Sequence, residues 1–130
     1  MDKTVSDFID ITYGEEYISL NFFIENEEIA AIGAKMEKIN PEAYMNGYNW
    51  EAFLNYYFEK NAPEVLEGMD SDPEAGMYVV YYDNTADNTG KAGKLAEIIG
   101  YLVENPEDIY EIVRKHSDEI EWEWYNFLAL

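Results

Sequence analysis

Tyr17-Ile18-Ser19-Leu20-Asn21-Phe22-Phe23-Ile24 sets Ile18, Leu20, Phe22 and Ile24 on one side of an extended chain. Alternation with period two marks a half-buried strand. Phe8-Ile9-Asp10-Ile11-Thr12 reads as a short strand before it, and Tyr13-Gly14-Glu15 turns one into the other. The chain therefore opens on a β-hairpin.

The period then changes. Between Glu27 and Ile39, Ile29, Ile32, Met36 and Ile39 fall near helical spacing, with Asn26 available as cap and Asn40-Pro41 as stop. Tyr44 to Asn49 is a loop by composition, and Asn49 is expected to cap the next helix. There Trp50, Phe53, Leu54, Tyr57 and Phe58 stand at i, i+3, i+4, i+7 and i+8, one apolar face. Asn61 and Pro63 stop it, with a further helical turn from Pro63 to Leu66. Asp72-Pro73-Glu74-Ala75-Gly76 is a turn: proline presets φ, and Gly76 is expected to take the positive φ of a hairpin bulge.

Met77 to Tyr82 is β-branched and aromatic, a central strand, with Glu67 to Ser71 as its partner. Asp83 to Lys94 is polar and rich in Asn, Thr and Gly, a loop leading into a helix that carries Leu95, Ile98, Ile99, Leu102 and Val103. Asn105 caps another helix, with Pro106 first and Ile109, Ile112 and Val113 inward. From Asp118 to Leu130 two readings stand. Glu119-Ile120-Glu121-Trp122-Glu123-Trp124 alternates like a strand, while Ile120, Trp124, Phe127 and Leu128 satisfy a helix with Asp118 and Glu121 as a capping pair. The order ββααββαα predicts one α+β domain over residues 1–130, an antiparallel sheet packed by helices.

Charge dominates the composition. The 130 residues carry 28 Asp and Glu against 8 Lys and Arg, a net charge of −20. Such a surface repels nucleic acid and anionic lipid and attracts cations or a basic protein, at some cost in compaction. Aromatics at 16% argue against a disordered acidic chain. With no cysteine, disulfides, thiolate metal sites and cysteine nucleophiles are excluded. Met1-Asp2-Lys3-Thr4-Val5-Ser6-Asp7 lacks the basic stretch and apolar core of a secretion signal, and no run approaches the ~18 apolar residues of a membrane span. A cytoplasmic protein is expected.

No residue pattern in the sequence carries a recognisable chemistry. General acid work needs a carboxyl buried so that its pKa rises, and no Asp or Glu intrudes on the apolar stripes. His116 is the single histidine, beside Lys115 at a helix end, where a cation meets the helix dipole. One imidazole without thiolates is too little for zinc, iron or copper. Asp70-Ser71-Asp72-Pro73-Glu74 departs from a calcium loop at its fourth, sixth and twelfth positions, Pro73, Ala75 and Tyr81. Gly90-Lys91-Ala92-Gly93-Lys94 lacks the P-loop spacing and the Ser or Thr after lysine. No catalytic residue, cofactor or metal ligand is predicted. Aromatic residues such as Tyr17, Tyr44, Tyr48 and Tyr56 exceed one core; they suit either a protein-binding surface or the second face of the sheet.

Two stretches together resemble the immunity protein 51 family. Asn46-Gly47-Tyr48-Asn49-Trp50-Glu51-Ala52-Phe53-Leu54, continuing to Asn61-Ala62-Pro63-Glu64-Val65-Leu66, is similar to its central helix. Asp72-Pro73-Glu74-Ala75-Gly76-Met77-Tyr78-Val79-Val80-Tyr81 is similar to its following hairpin. The resemblance runs from about Tyr44 to Ile112 and leaves the acidic ending without a counterpart. It implies a bacterial immunity protein, a non-enzymatic α+β inhibitor of a polymorphic or contact-dependent toxin.

Both motifs read as scaffold. The contact set expected on charge and aromaticity is Glu119, Glu121, Trp122, Glu123 and Trp124, with Glu15 and Glu16 second. The expected partner is a basic toxin domain, with no nucleic acid and no membrane. A DNA-mimic protein blocking a nucleic-acid-binding partner is the alternative, and a hydrolase using a buried carboxylate pair is the third reading.

Overall fold

The computed structural model describes residues 6–123. Strands β1 (Ile9–Tyr13), β2 (Tyr17–Phe22), β3 (Asp70–Ser71) and β4 (Tyr78–Asp83) form one antiparallel sheet in the order β1-β2-β4-β3. Ile11 pairs with Leu20, and Leu20 pairs with Val80, so the apolar rows line up across three strands. Ile9, Ile11, Ile18, Leu20, Phe22, Tyr78, Val80 and Tyr82 are all buried on that face. On the other, Asp10, Ser19, Asn21 and Tyr81 are half-buried, as period two requires. β4 has a partner on each side, the interior position its composition predicts.

Helices α1 (Glu27–Ile39), α2 (Gly47–Asn61), α3 (Ala86–Glu104) and α4 (Pro106–His116) share one core with the apolar face of the sheet. A 3-10 turn over Pro63–Leu66 follows α2, and another over Ser117–Glu119 follows α4. Trp50 of α2 meets Phe22 edge-on at 5.2 Å, and Phe22 meets Tyr78 at 6.5 Å. Edge-to-face pairs of this kind add about 0.5–1.5 kcal/mol each beyond burial. α4 lies against α1, where the Lys35 ammonium sits 4.7 Å over the Tyr110 ring.

Several local expectations need correction. Helix α2 starts at Gly47, and its cap is Asn46, whose side chain accepts from the Asn49 amide. Asn49 is buried inside the first turn instead. Gly76 does not adopt positive φ; Gly68 does, at 78°. A Cβ on Gly76 would lie 2.8 Å from Glu25 Oε2, the far end of an exposed, flexible side chain that can move aside. The partner of β4 shrinks to Asp70–Ser71, because Glu67 to Met69 is spent turning out of the 3-10 helix.

Helix α3 begins at Ala86, where a loop was expected. Thr85 caps it by accepting from the Asn88 amide, and Ala92, Leu95 and Ala96 bury its inner face. Two lysines reinforce that turn from outside: Lys91 donates to Glu67 O at 2.9 Å and Lys94 to Glu64 at 2.5 Å. Asn105 holds the N-cap position of α4, but its side chain donates back to Tyr101 O at the end of α3.

The chain after α4 follows neither regular reading over its described part. Past the 3-10 turn, Ile120 to Glu123 pairs with no strand, yet Ile120 and Trp122 are buried while Glu119 and Glu121 are exposed. Side chains alternate as the strand reading expected, without a ladder. Trp124 lies outside the described residues.

Candidate functional site

Helix α2 has a second stripe. Tyr48, Glu51, Ala52, Asn55, Tyr56 and Glu59 recur at i, i+3, i+4, i+7, i+8 and i+11, opposite the buried one. Glu119, Glu121 and Glu123 face this stripe, and the two sides enclose a cleft of about 200 Å³. Five carboxylates from two distant parts of the chain thus line one small concavity.

Four hydrogen bonds hold the far wall in place. The Glu123 amide donates to Asn49 Oδ1 at 2.5 Å, and Asn49 Nδ2 donates to Tyr44 O at 2.7 Å. Trp122 Nε1 donates to Ser117 Oγ at 3.3 Å, and Asn40 Nδ2 donates to the same hydroxyl at 2.5 Å. Burial of Ile120 and Trp122 anchors the segment from beneath. Trp122 therefore works as a core residue that presents its acidic neighbours.

Glu119 has three polar partners at the edge of the cleft. Its carboxylate meets His116 Nδ1 at 2.9 Å, accepts from the Tyr56 hydroxyl at 3.1 Å, and has Lys60 at 4.0 Å. His116 in turn stacks on Tyr56, with centroids 6.2 Å apart. The His116 hydrogen bond, then the Tyr56 one, lowers the Glu119 pKa. Burial and the Glu119 carboxylate raise that of Tyr56. Glu51 accepts from the Ser71 hydroxyl in a short contact. Glu59 and Glu121 have no ion pair among the described residues.

The arrangement is suited to attracting positive charge. Its volume falls below the roughly 300–1,000 Å³ usual for small-molecule sites. Among the described residues no group of three or more His, Asp or Glu is disposed to hold a metal ion. Asn49 is the buried polar residue among them, so none supplies a carboxyl kept protonated by burial.

Of the residues expected on sequence grounds, Glu119, Glu121 and Glu123 meet in the cleft and Trp122 supports it. Glu15 and Glu16 sit exposed on the β1–β2 turn and do not line it. Tyr48 and Tyr56, set apart as aromatics beyond one core, line it too; Glu51 and Glu59 were not expected, although their spacing along α2 carries the signal. No described helix is long and apolar enough to cross a membrane.

The family model described as immunity protein 51 matches residues 10–118. The match takes in the N-terminal hairpin and stops one residue before Glu119. No curated protein and no solved structure matches the chain.

Proposed function

The chain belongs to the immunity protein 51 family, and from that premise we propose that it binds and neutralises a cognate, basic toxin domain in the cytoplasm of its producer. Neutralisation is by occupation, without a reaction. The carrying observation is the convergence of Glu51, Glu59, Glu119, Glu121 and Glu123 on one cleft. A −20 surface steers a cationic partner toward itself, and complementary charge raises association rate and specificity more than raw affinity. The acidic segment begins where the family match ends, so it is the natural element to distinguish this chain's own partner from others.

Co-expression with the toxin domain encoded beside this chain tests the reading. Wild-type chain should restore growth, and a variant with all five glutamates changed to glutamine should not, at equal abundance. Protection that survives those five changes removes the cleft from the interface, and absence of protection by wild type removes the function.

A further inference from the structure

A second concavity of about 740 Å³ shares Tyr48 as a wall with the acidic cleft. Its floor is Ile29 and Trp50, and its sides are the α1 surface at Ala30, Gly33 and Ala34 and the segment Tyr44 to Tyr48. The rim is exposed at Ala30, Ala34 and Tyr44, so this is an open trough and no enclosed small-molecule cavity. Its charged lining residues are Glu25 and Glu37, both acidic. Across Tyr48 the charged lining is again entirely carboxylate. An occupant must therefore be apolar on one face and basic at its edges.

We infer that this groove, with the cleft beside it, receives a basic amphipathic segment of the toxin domain: apolar side chains against Ala30, Ala34 and Tyr48, and Lys or Arg toward Glu25, Glu37 and the cleft. The inference rests on the proposed function and adds the chemistry of the contacting segment. Helix-in-groove recognition reads a partner through apolar anchors at i, i+3, i+4 and i+7. The small side chains of α1 leave room for such anchors, and aromatic walls like Tyr48 commonly dominate binding.

Two alanines on one helix make the test. Ala34 lines the groove, while Ala31 is exposed too and does not. Arginine is well tolerated in helices, so A34R and A31R change net charge identically and differ in what they obstruct. The first probe is a synthetic amphipathic Leu–Lys helical peptide, followed by backbone amide NMR, with a scrambled peptide of the same composition as control. The amphipathic peptide should shift the amides of Ala30, Ala34 and Tyr48. A34R should weaken it about tenfold or more, and A31R by no more than about twofold.

Equal weakening by both variants, or equal binding of the scrambled peptide, means bulk electrostatics and overturns the inference. So does tighter peptide binding by a chain ending at Glu123, which would assign the groove to residues 124–130. The toxin domain is the second probe. If it binds wild type and A34R alike, the function stands and the groove falls. If it does not bind wild type while the peptide does, the groove's preference for a basic amphipathic segment stands, and its assignment to the toxin falls with the function.

Discussion

The amide of Glu123 donates to Asn49 Oδ1 across 74 residues of sequence, and Asn49 is 1% exposed. One buried side chain thus fixes the acidic segment to the first turn of α2. Its Nδ2 holds Tyr44 O at the same time, which orders the wall shared with the neighbouring groove.

Replacing it should undo both. Asn49→Ala removes both hydrogen bonds, each part-buried, at about 0.5–1.5 kcal/mol each. We expect a loss of about 1–3 kcal/mol in urea unfolding and faster hydrogen exchange at Glu123. Unchanged exchange at Glu123 would show that the segment is held by other means.

Two buried tyrosines should respond oppositely to loss of their hydroxyls. Tyr82 donates to Val65 O at 2.6 Å, whereas the Tyr78 hydroxyl is buried with no hydrogen-bond partner among the described residues. Tyr82→Phe should cost about 1 kcal/mol, and Tyr78→Phe should be neutral or stabilising. Thermal unfolding of the two variants side by side checks this; a clear loss in Tyr78→Phe would mean that its hydroxyl is satisfied.

Glycines divide in the same way. A Cβ on Gly47 would lie 1.7 Å from Glu74 O, where the 74–77 turn crosses the start of α2. A Cβ on Gly100, within α3, meets nothing within 4 Å. Gly47→Ala should therefore destabilise by more than about 2 kcal/mol, while Gly100→Ala should stabilise by about 0.5–1 kcal/mol through helix propensity. Equal melting temperatures for the two variants would refute the close approach.

Stability should also fall at the alkaline end. Burial pushes the phenols of Tyr78 and Tyr82 far above their ordinary value of 10.0, with Glu51 and Tyr82 adding to the shift of Tyr78. Above about pH 10 the unfolded chain releases protons that the folded chain retains, so unfolding becomes more favourable. Below that pH their contribution is fully present. At the acid end Glu119 behaves inversely: its lowered pKa contributes stability above about pH 4.5, lost as pH falls through the folded value. Urea midpoints across pH, with tyrosinate absorbance as a second readout, test the sign, and Tyr78→Phe should flatten the alkaline limb.

Much of this was legible locally. Alternation through Ile18, Leu20 and Phe22 gave β2, and the spacing of Ile29, Ile32 and Met36 after Asn26 gave α1 with its observed ends. What failed depended on distant residues. Asn46 and Asn49 are both good caps by type; Asn49 is drawn inward only because Glu123 and Tyr44 claim its side chain. The first turns of α3 look like loop until Lys91 and Lys94 are seen reaching Glu67 and Glu64. For the site, Glu119, Glu121 and Glu123 stood out by charge. The opposing stripe on α2 was hidden among 28 acids that differ only in where the fold puts them.

The most direct test of the account is the affinity of the purified chain for the proposed cognate toxin domain at low and high salt. Salt screens the free chain's self-repulsion, so its melting temperature should rise even as binding weakens. We expect dissociation constants at least about tenfold weaker in 0.5 M than in 0.05 M salt, and at least about a hundredfold loss in the five-glutamine variant at low salt. Salt-independent binding, or full affinity without those five carboxylates, would contradict it.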